Sequence, residues 1–148
     1  DDAYAEAADF IGELCRRIEG HGTCYCFEPL GSGDTDFIHL IEDSVRMVEA
    51  VNSPALRVQI DAKALVENDE ADISSFHTAL PYLIHYHANE PGLGVIGSSG
   101  KVDHRKLGEC LREISYDGYV SIEQRQLNED DPVADVGRSA EHIRECYS

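Results

Sequence analysis

Four short segments, each followed by a stretch of helical spacing, carry the same alternation of side chains, and this repeat constrains the fold more than any other feature of the chain. The segments are 23–28 (TCYCFE), 56–61 (LRVQID), 82–87 (YLIHYH) and 119–123 (YVSIE). Each is too short for a stable helix and rich in aromatic or β-branched residues, so each is expected to be a strand. Side chains alternate across a strand. One parity is bulky and apolar: Tyr25 and Phe27, Val58 and Ile60, Ile84 and Tyr86, Val120 and Ile122. The other carries Cys24, Cys26 and Glu28; Arg57, Gln59 and Asp61; Leu83, His85 and His87; Tyr119, Ser121 and Glu123. A parallel sheet buried on both faces reads as continuous apolar runs. One polar face on every strand instead suits the interior of a barrel that opens into a polar site.

The intervening segments have helical periodicity. Residues 2–19 place Tyr4, Ala7, Ala8, Ile11, Leu14, Cys15 and Ile18 on one side and stop at Gly20. Further helices are expected at about 37–51, 72–80, 104–115 and 132–146. The order is α(βα)×4, which argues for right-handed βαβ units and a parallel sheet covered by helices. The length of 148 residues suits a single domain, 1–148. With 42% apolar residues the chain can form a core, which argues against disorder. The two longest loops, 29–36 (PLGSGDTD) and 88–103 (ANEPGLGVIGSSGKVD), both follow strands. That is the side on which α/β folds bind ligands.

The polar parity ends, at the last position of each strand, in Glu28, Asp61, His87 and Glu123. Any one of these alone reads as a solvated group at a strand end, and His87 alone reads equally as a satisfied core histidine. Four on the same parity converge. Three carboxylates and one imidazole form a hard site suited to one divalent cation, Mn²⁺ or Mg²⁺, with Co²⁺ also compatible. Without a cation, three like charges would push at least one carboxylate's pKa upward. Cys24 and Cys26 share this parity deeper along the strand and read as small interior residues. The five cysteines, at 15, 24, 26, 110 and 146, lack a paired CxxC spacing and are expected to be reduced, buried and free of disulfides.

The runs CFEPLGSGDTDF, SPALRVQIDAKAL, IHYHANEPGLG and VDHRKLGECLREISYDGYVSIEQ together resemble the C-terminal half of the xylose isomerase-like TIM-barrel family of sugar and sugar-phosphate isomerases and epimerases. The four polar positions lie 33, 26 and 36 residues apart, similar to that family's Glu, Asp, His, Glu metal quartet. The resemblance implies an α/β fold, a (β/α) barrel of TIM type of which this chain supplies the last four βα units, a half-barrel. It also implies that Glu28, Asp61, His87 and Glu123 hold one metal and that Glu28 and Glu123 act as the acid/base pair. His85 and Glu90 are candidate substrate contacts, with a satisfied core histidine as the other reading of His85 and loop capping as the other reading of Glu90. Two departures from the family pattern stand out. Ala64 occupies the place where ketose epimerases carry a histidine three residues beyond the metal aspartate, and HANEPGLG offers no arginine after the metal histidine.

The expected activity is isomerisation or epimerisation of a sugar or sugar phosphate, by removal of the proton alpha to a carbonyl. A non-catalytic half-barrel that needs a partner, or its missing N-terminal half, is the alternative. A phosphodiesterase of the apurinic-endonuclease kind is a third, opposed by 12 basic against 29 acidic residues, a formal charge of −17. The same charge excludes most backbone binding to nucleic acid. His21, His39, His77, His104 and His142 fall in predicted helices or loops and are expected to be exposed. No apolar run is long enough to span a membrane, and the reduced thiols suit the cytoplasm. The chain opens at Asp1 without a Met or a leader, so a preceding segment is expected, and two raw sheet edges imply a homo-oligomer or that missing half.

Overall fold

The computed structural model describes residues 2–148. Helix α1 (Asp2–Ile18) precedes four strands, β1 (Tyr25–Phe27), β2 (Leu56–Asp61), β3 (Leu83–Ala88) and β4 (Tyr119–Ile122). Between them run α2 (Ile41–Val51), α3 (Ala62–Glu67), α4 (Ile73–Ala79) and α5 (His104–Glu113), and α6 (Pro132–Tyr147) closes the chain. The strands pair in parallel in the order β1-β2-β3-β4, the arrangement that successive βαβ units produce. Val58, Ile60 and Tyr86 on the sheet bury against Ile41, Val48, Phe76 and Leu107 on the helices. Among the described residues no helix is long and apolar enough to cross a membrane.

The alternating pattern locates every strand, and the differences have local causes. Helix α2 starts at Ile41, later than expected. The residue at its N-cap, Leu40, has no polar side chain, so the carboxylate of Glu70 accepts from the Ile41 amide instead (3.1 Å). Helix α3 is unexpected. Asp61 caps it by accepting from the Ala64 amide (2.8 Å), so β2 runs into a helix with no loop between them.

Strand β3 contains a β-bulge. Val58 pairs with Leu83 but Gln59 pairs with His85, so Ile84 is left out of register. Leu83 therefore turns toward the helices and packs on the core, whereas Ile84, expected there, is exposed. Downstream of the bulge His85 and His87 regain the polar face and Tyr86 the apolar one. All five thiols are free, and Cys15, Cys110 and Cys146 are buried. Cys24 is only half-buried and Cys26 is exposed, because β1 is an edge strand with no neighbour on its outer side.

Helices α5 and α6 pack backbone to backbone at Gly108. A Cβ there would meet the Cys146 carbonyl oxygen and lie 2.9 Å from its carbon. The Cys146 carbonyl is also held by Arg112, which donates to it (3.1 Å). Gly108→Ala should therefore destabilise the fold by about 1–3 kcal/mol, although alanine favours helix. Urea unfolding would measure this, and unchanged or increased stability would contradict the close packing.

Candidate metal centre

The four polar strand ends meet. Asp61 and His87 are register partners on β2 and β3. Glu28 follows β1 directly, and Glu123 prolongs β4 by donating its amide to the Ala88 carbonyl (3.0 Å). One donor atom from each of Glu28, Asp61, His87 and Glu123 lies within 4.8 Å of all the others. His87 Nδ1 is 3.1 Å from Glu28 Oε1, 3.6 Å from Glu123 Oε2 and 3.9 Å from Asp61 Oδ2. Oxygen donors held at about 2.0–2.6 Å from a common cation are at most about 4–5 Å apart, so this spacing accommodates one ion.

Two neighbours that the sequence reading did not single out hold the quartet together. The Gln59 amide donates to Glu28 Oε1 (2.6 Å) and lies 2.9 Å from His87 Nδ1. Asn89 is buried, donates to Asp61 Oδ2 (2.5 Å) and Glu123 Oε2 (2.6 Å), and accepts from the Lys63 amide (2.8 Å). Both follow the period-two rule. Gln59 stands two residues before Asp61, and Asn89 two residues after His87, so continuing the polar parity past the strand end would have found Asn89.

The electrostatics show the strain of gathering three carboxylates. Burial is the main force that raises Asp61, to about 7, and the charges of Glu28 and Glu123 add to it against the bonds from Ala64 and Asn89. Burial also pushes Glu28 upward, but bonds from His87 and Gln59 outweigh it and hold that group below its ordinary value. His87 is raised by its bond to Glu28, against burial. In this hard donor set, a divalent cation would replace a proton as the compensating charge.

Above the quartet opens a cavity of about 390 Å³, lined among others by Leu30, Gly31, Asp34, Lys63, Leu93 and Arg125. Lys63 is engaged by Asp34 (2.5 Å) and Glu67 (3.2 Å). Ala64 and Leu93 leave this wall small and partly apolar.

The two expected substrate contacts lie elsewhere. His85 pairs with Gln59 one layer deeper, and its ring stands edge-on to His87 at 5.2 Å, behind the quartet rather than on the cavity. Glu90 is fully buried, and its oxygens are taken by Gly97, Ser99 and His104. A carboxylate held by three donors of its own chain caps a loop. His104 is buried too, contrary to the exposed position expected for it, because it is the partner that Glu90 requires.

Residues 1–146 match the family described as xylose isomerase-like TIM barrel. A D-psicose 3-epimerase of Ruminiclostridium cellulolyticum is 25% identical over 120 residues, which cover 81% of this chain and 41% of that protein. A D-psicose 3-epimerase of Agrobacterium fabrum is 25% identical over 130 residues, covering 45% of its length. The chain thus spans a little under half the length of these curated relatives. Among solved structures, 3-keto-D-glucoside 4-epimerase from E. coli superposes with a TM-score of 0.82 at 26% identity, over 97% of this chain and 54% of that one. A D-psicose 3-epimerase crystallised with D-fructose gives a TM-score of 0.87 at 21% identity, over 99% and 58%, a likeness of fold alone. The fold is accordingly that of consecutive βα units of a TIM-type barrel.

Proposed function

The chain belongs to the xylose isomerase-like TIM-barrel family, and on that basis we propose that it carries the metal-binding part of the active site of a sugar or sugar-phosphate isomerase or epimerase. Glu28, Asp61, His87 and Glu123 would hold one divalent cation, Mn²⁺ or Mg²⁺. The observation that carries this reading is the convergence of their donor atoms within 4.8 Å at the C-terminal ends of four parallel strands. The epimerases among the relatives support the reaction class.

A bound divalent cation supplies Lewis-acid polarisation of adjacent carbonyl and hydroxyl oxygens. The remaining chemistry falls to the protein's own groups. Asp61 is the most enclosed of the quartet's three carboxylates, with 7% of its side chain exposed, and both its oxygens are bonded within the chain, so it serves as a ligand only. Glu123 is the most open at 42%, with Glu28 at 27%. These two enter from the outer strands β4 and β1, so they approach a substrate in the cavity from opposite sides. One removes the proton alpha to the carbonyl and the other returns a proton to the opposite face. Gln59 and Asn89 orient them, and neither can itself take up the proton.

Assembly follows from the edges. Strands β1 and β4 each leave their outer edge without a partner strand among the described residues, and Tyr119 on β4 is 82% exposed. In the proposed assembly, strands of a second copy or of a further segment of the chain pair with those edges and close the polar face.

Three outcomes test this reading. Calorimetric titration with Mn²⁺ should show one site. Asn89→Ala should weaken it about 10–100-fold, as outer-shell changes do, and Asp61→Ala by more. Equal binding by wild type and Asp61→Ala would remove the assignment. With a ketose that the protein turns over, Glu123→Gln should abolish exchange of the substrate C–H proton with deuterated solvent while the sugar still binds. Persistent exchange would mean that another base acts. Sedimentation of the chain alone should show dimers or poor solubility, whereas a stable monomer at micromolar concentration would contradict the paired edges.

A further inference from the structure

The loop between β3 and α5, residues 89–103, has two ends with different tasks. Its first part walls the cavity through Gly92 and Leu93, and the Leu93 carbonyl accepts from the Arg125 amide (2.9 Å), tying this wall to the chain beyond β4. Its second part is bound to the helices. The Ile96 amide donates to Ser139 on α6 (3.0 Å), and Gly97, at φ +82°, lies so near His142 that a Cβ there would come within 2.6 Å of the ring.

Glu90 joins the two parts. Its Oε1 accepts from the Gly97 amide (2.7 Å) and from His104 Nε2 (3.0 Å), and its Oε2 accepts from the Ser99 hydroxyl. With Nε2 donating to the carboxylate, a neutral His104 leaves Nδ1 as acceptor for the Tyr147 hydroxyl (2.7 Å). Tyr147 in turn meets the Tyr86 hydroxyl (3.1 Å), so the chain of bonds ends on β3, one residue before His87. Glu90, His104 and Tyr86 are buried, and every polar end in this relay has a partner.

We infer that Glu90, backed by His104 and Tyr147, is a positioning residue: it sets the shape of the loop that forms the sugar-facing wall of the cavity. This rests on the sugar reading above. The carboxylate does not touch the reacting atoms. It folds the second half of the loop back onto α5 and α6, and so fixes where Gly92 and Leu93 stand. The role lies in accepting hydrogen bonds more than in charge. A glutamine at position 90 can still accept from Gly97 and His104 and can turn its amide toward the Ser99 oxygen, whereas alanine can do neither.

Hydrogen–deuterium exchange of the full chain, with Mn²⁺ affinity measured beside it, tests the inference. Glu90→Ala should raise exchange of residues 91–100 about tenfold or more, as the loss of bonds to a buried charged group implies, and leave β3 within about twofold. Glu90→Gln should return the loop to within about threefold of wild type, and Mn²⁺ affinity should be unchanged in both. With a ketose that is turned over, Glu90→Ala should raise KM about tenfold with kcat within about threefold, which a loss of folding alone would not produce. Should Glu90→Ala fail to fold, Tyr147→Phe, which removes the bonds to His104 and Tyr86 and leaves those of Glu90 in place, should give a smaller rise in the same loop. Exchange at wild-type level in Glu90→Ala, or in Tyr147→Phe where Glu90→Ala does not fold, or a rise spread evenly over β3 and α5, would overturn the inference. Absence of Mn²⁺ uptake by the wild type would instead overturn the metal reading, and the loop exchange would still decide the role of Glu90.

Discussion

Three carboxylates held within contact range of one another are the constraint on which the rest of this structure depends. Like charges repel strongly where water is partly excluded, and a protein relieves this by protonation, by hydrogen bonds or by a counter-charge. All three appear here. Asp61 is pushed up to about 7, chiefly by burial, which favours its protonated form. Gln59 and Asn89 donate to the other oxygens, and His87 is raised toward its charged form by Glu28. In the proposed metal site, a divalent ion would satisfy the same oxygens with one charge-dense partner.

The irregularities around the site serve this placement. The bulge at Ile84 shifts β3 by one residue, so His87 stands beside Asp61 in register while Leu83 joins the core. Asp61 acts both as the last residue of β2 and as the cap of α3, which leaves its carboxylate no freedom to swing away from the quartet. Asn89 is immobilised in the same manner by the Lys63 amide at the start of α3. Each anchor is a short local bond that removes a rotamer, and together they preorganise the donors before any ligand arrives.

The cavity above the quartet combines a polar floor with walls that are small and partly apolar, lined by Gly31, Ala64 and Leu93. Its cations are sparse, and Lys63 is already engaged by Asp34 and Glu67. In the proposed function, an oxygen-rich ligand would be held mainly through this floor. The position of its loop wall is then governed by the buried relay behind Glu90, on the side away from the cavity.

Much of this was legible in the amino-acid sequence. Alternation of polar and apolar residues located all four strands, and the same alternation, carried to each strand end, picked out Glu28, Asp61, His87 and Glu123, because in a parallel sheet strand ends with the same parity share one face, and the curvature of a barrel-type sheet draws that face together. Other features depended on atoms distant in sequence. The late start of α2 depends on Glu70, the burial of His104 on Glu90 and Tyr147, and the exposure of Cys26 on β1 lying at an edge. The bulge at Ile84 breaks a parity that the sequence continues without interruption, and only pairing with β2 reveals it. Glu90 reads in sequence equally as a substrate contact or as a loop cap, and only the three donors from the following loop and helix that enclose it distinguish the two. Local periodicity therefore determined which residues share a face, whereas tertiary packing decided which polar groups found partners and left the solvent, since hydrogen bonding between distant segments is set by three-dimensional proximity and leaves no period in the sequence.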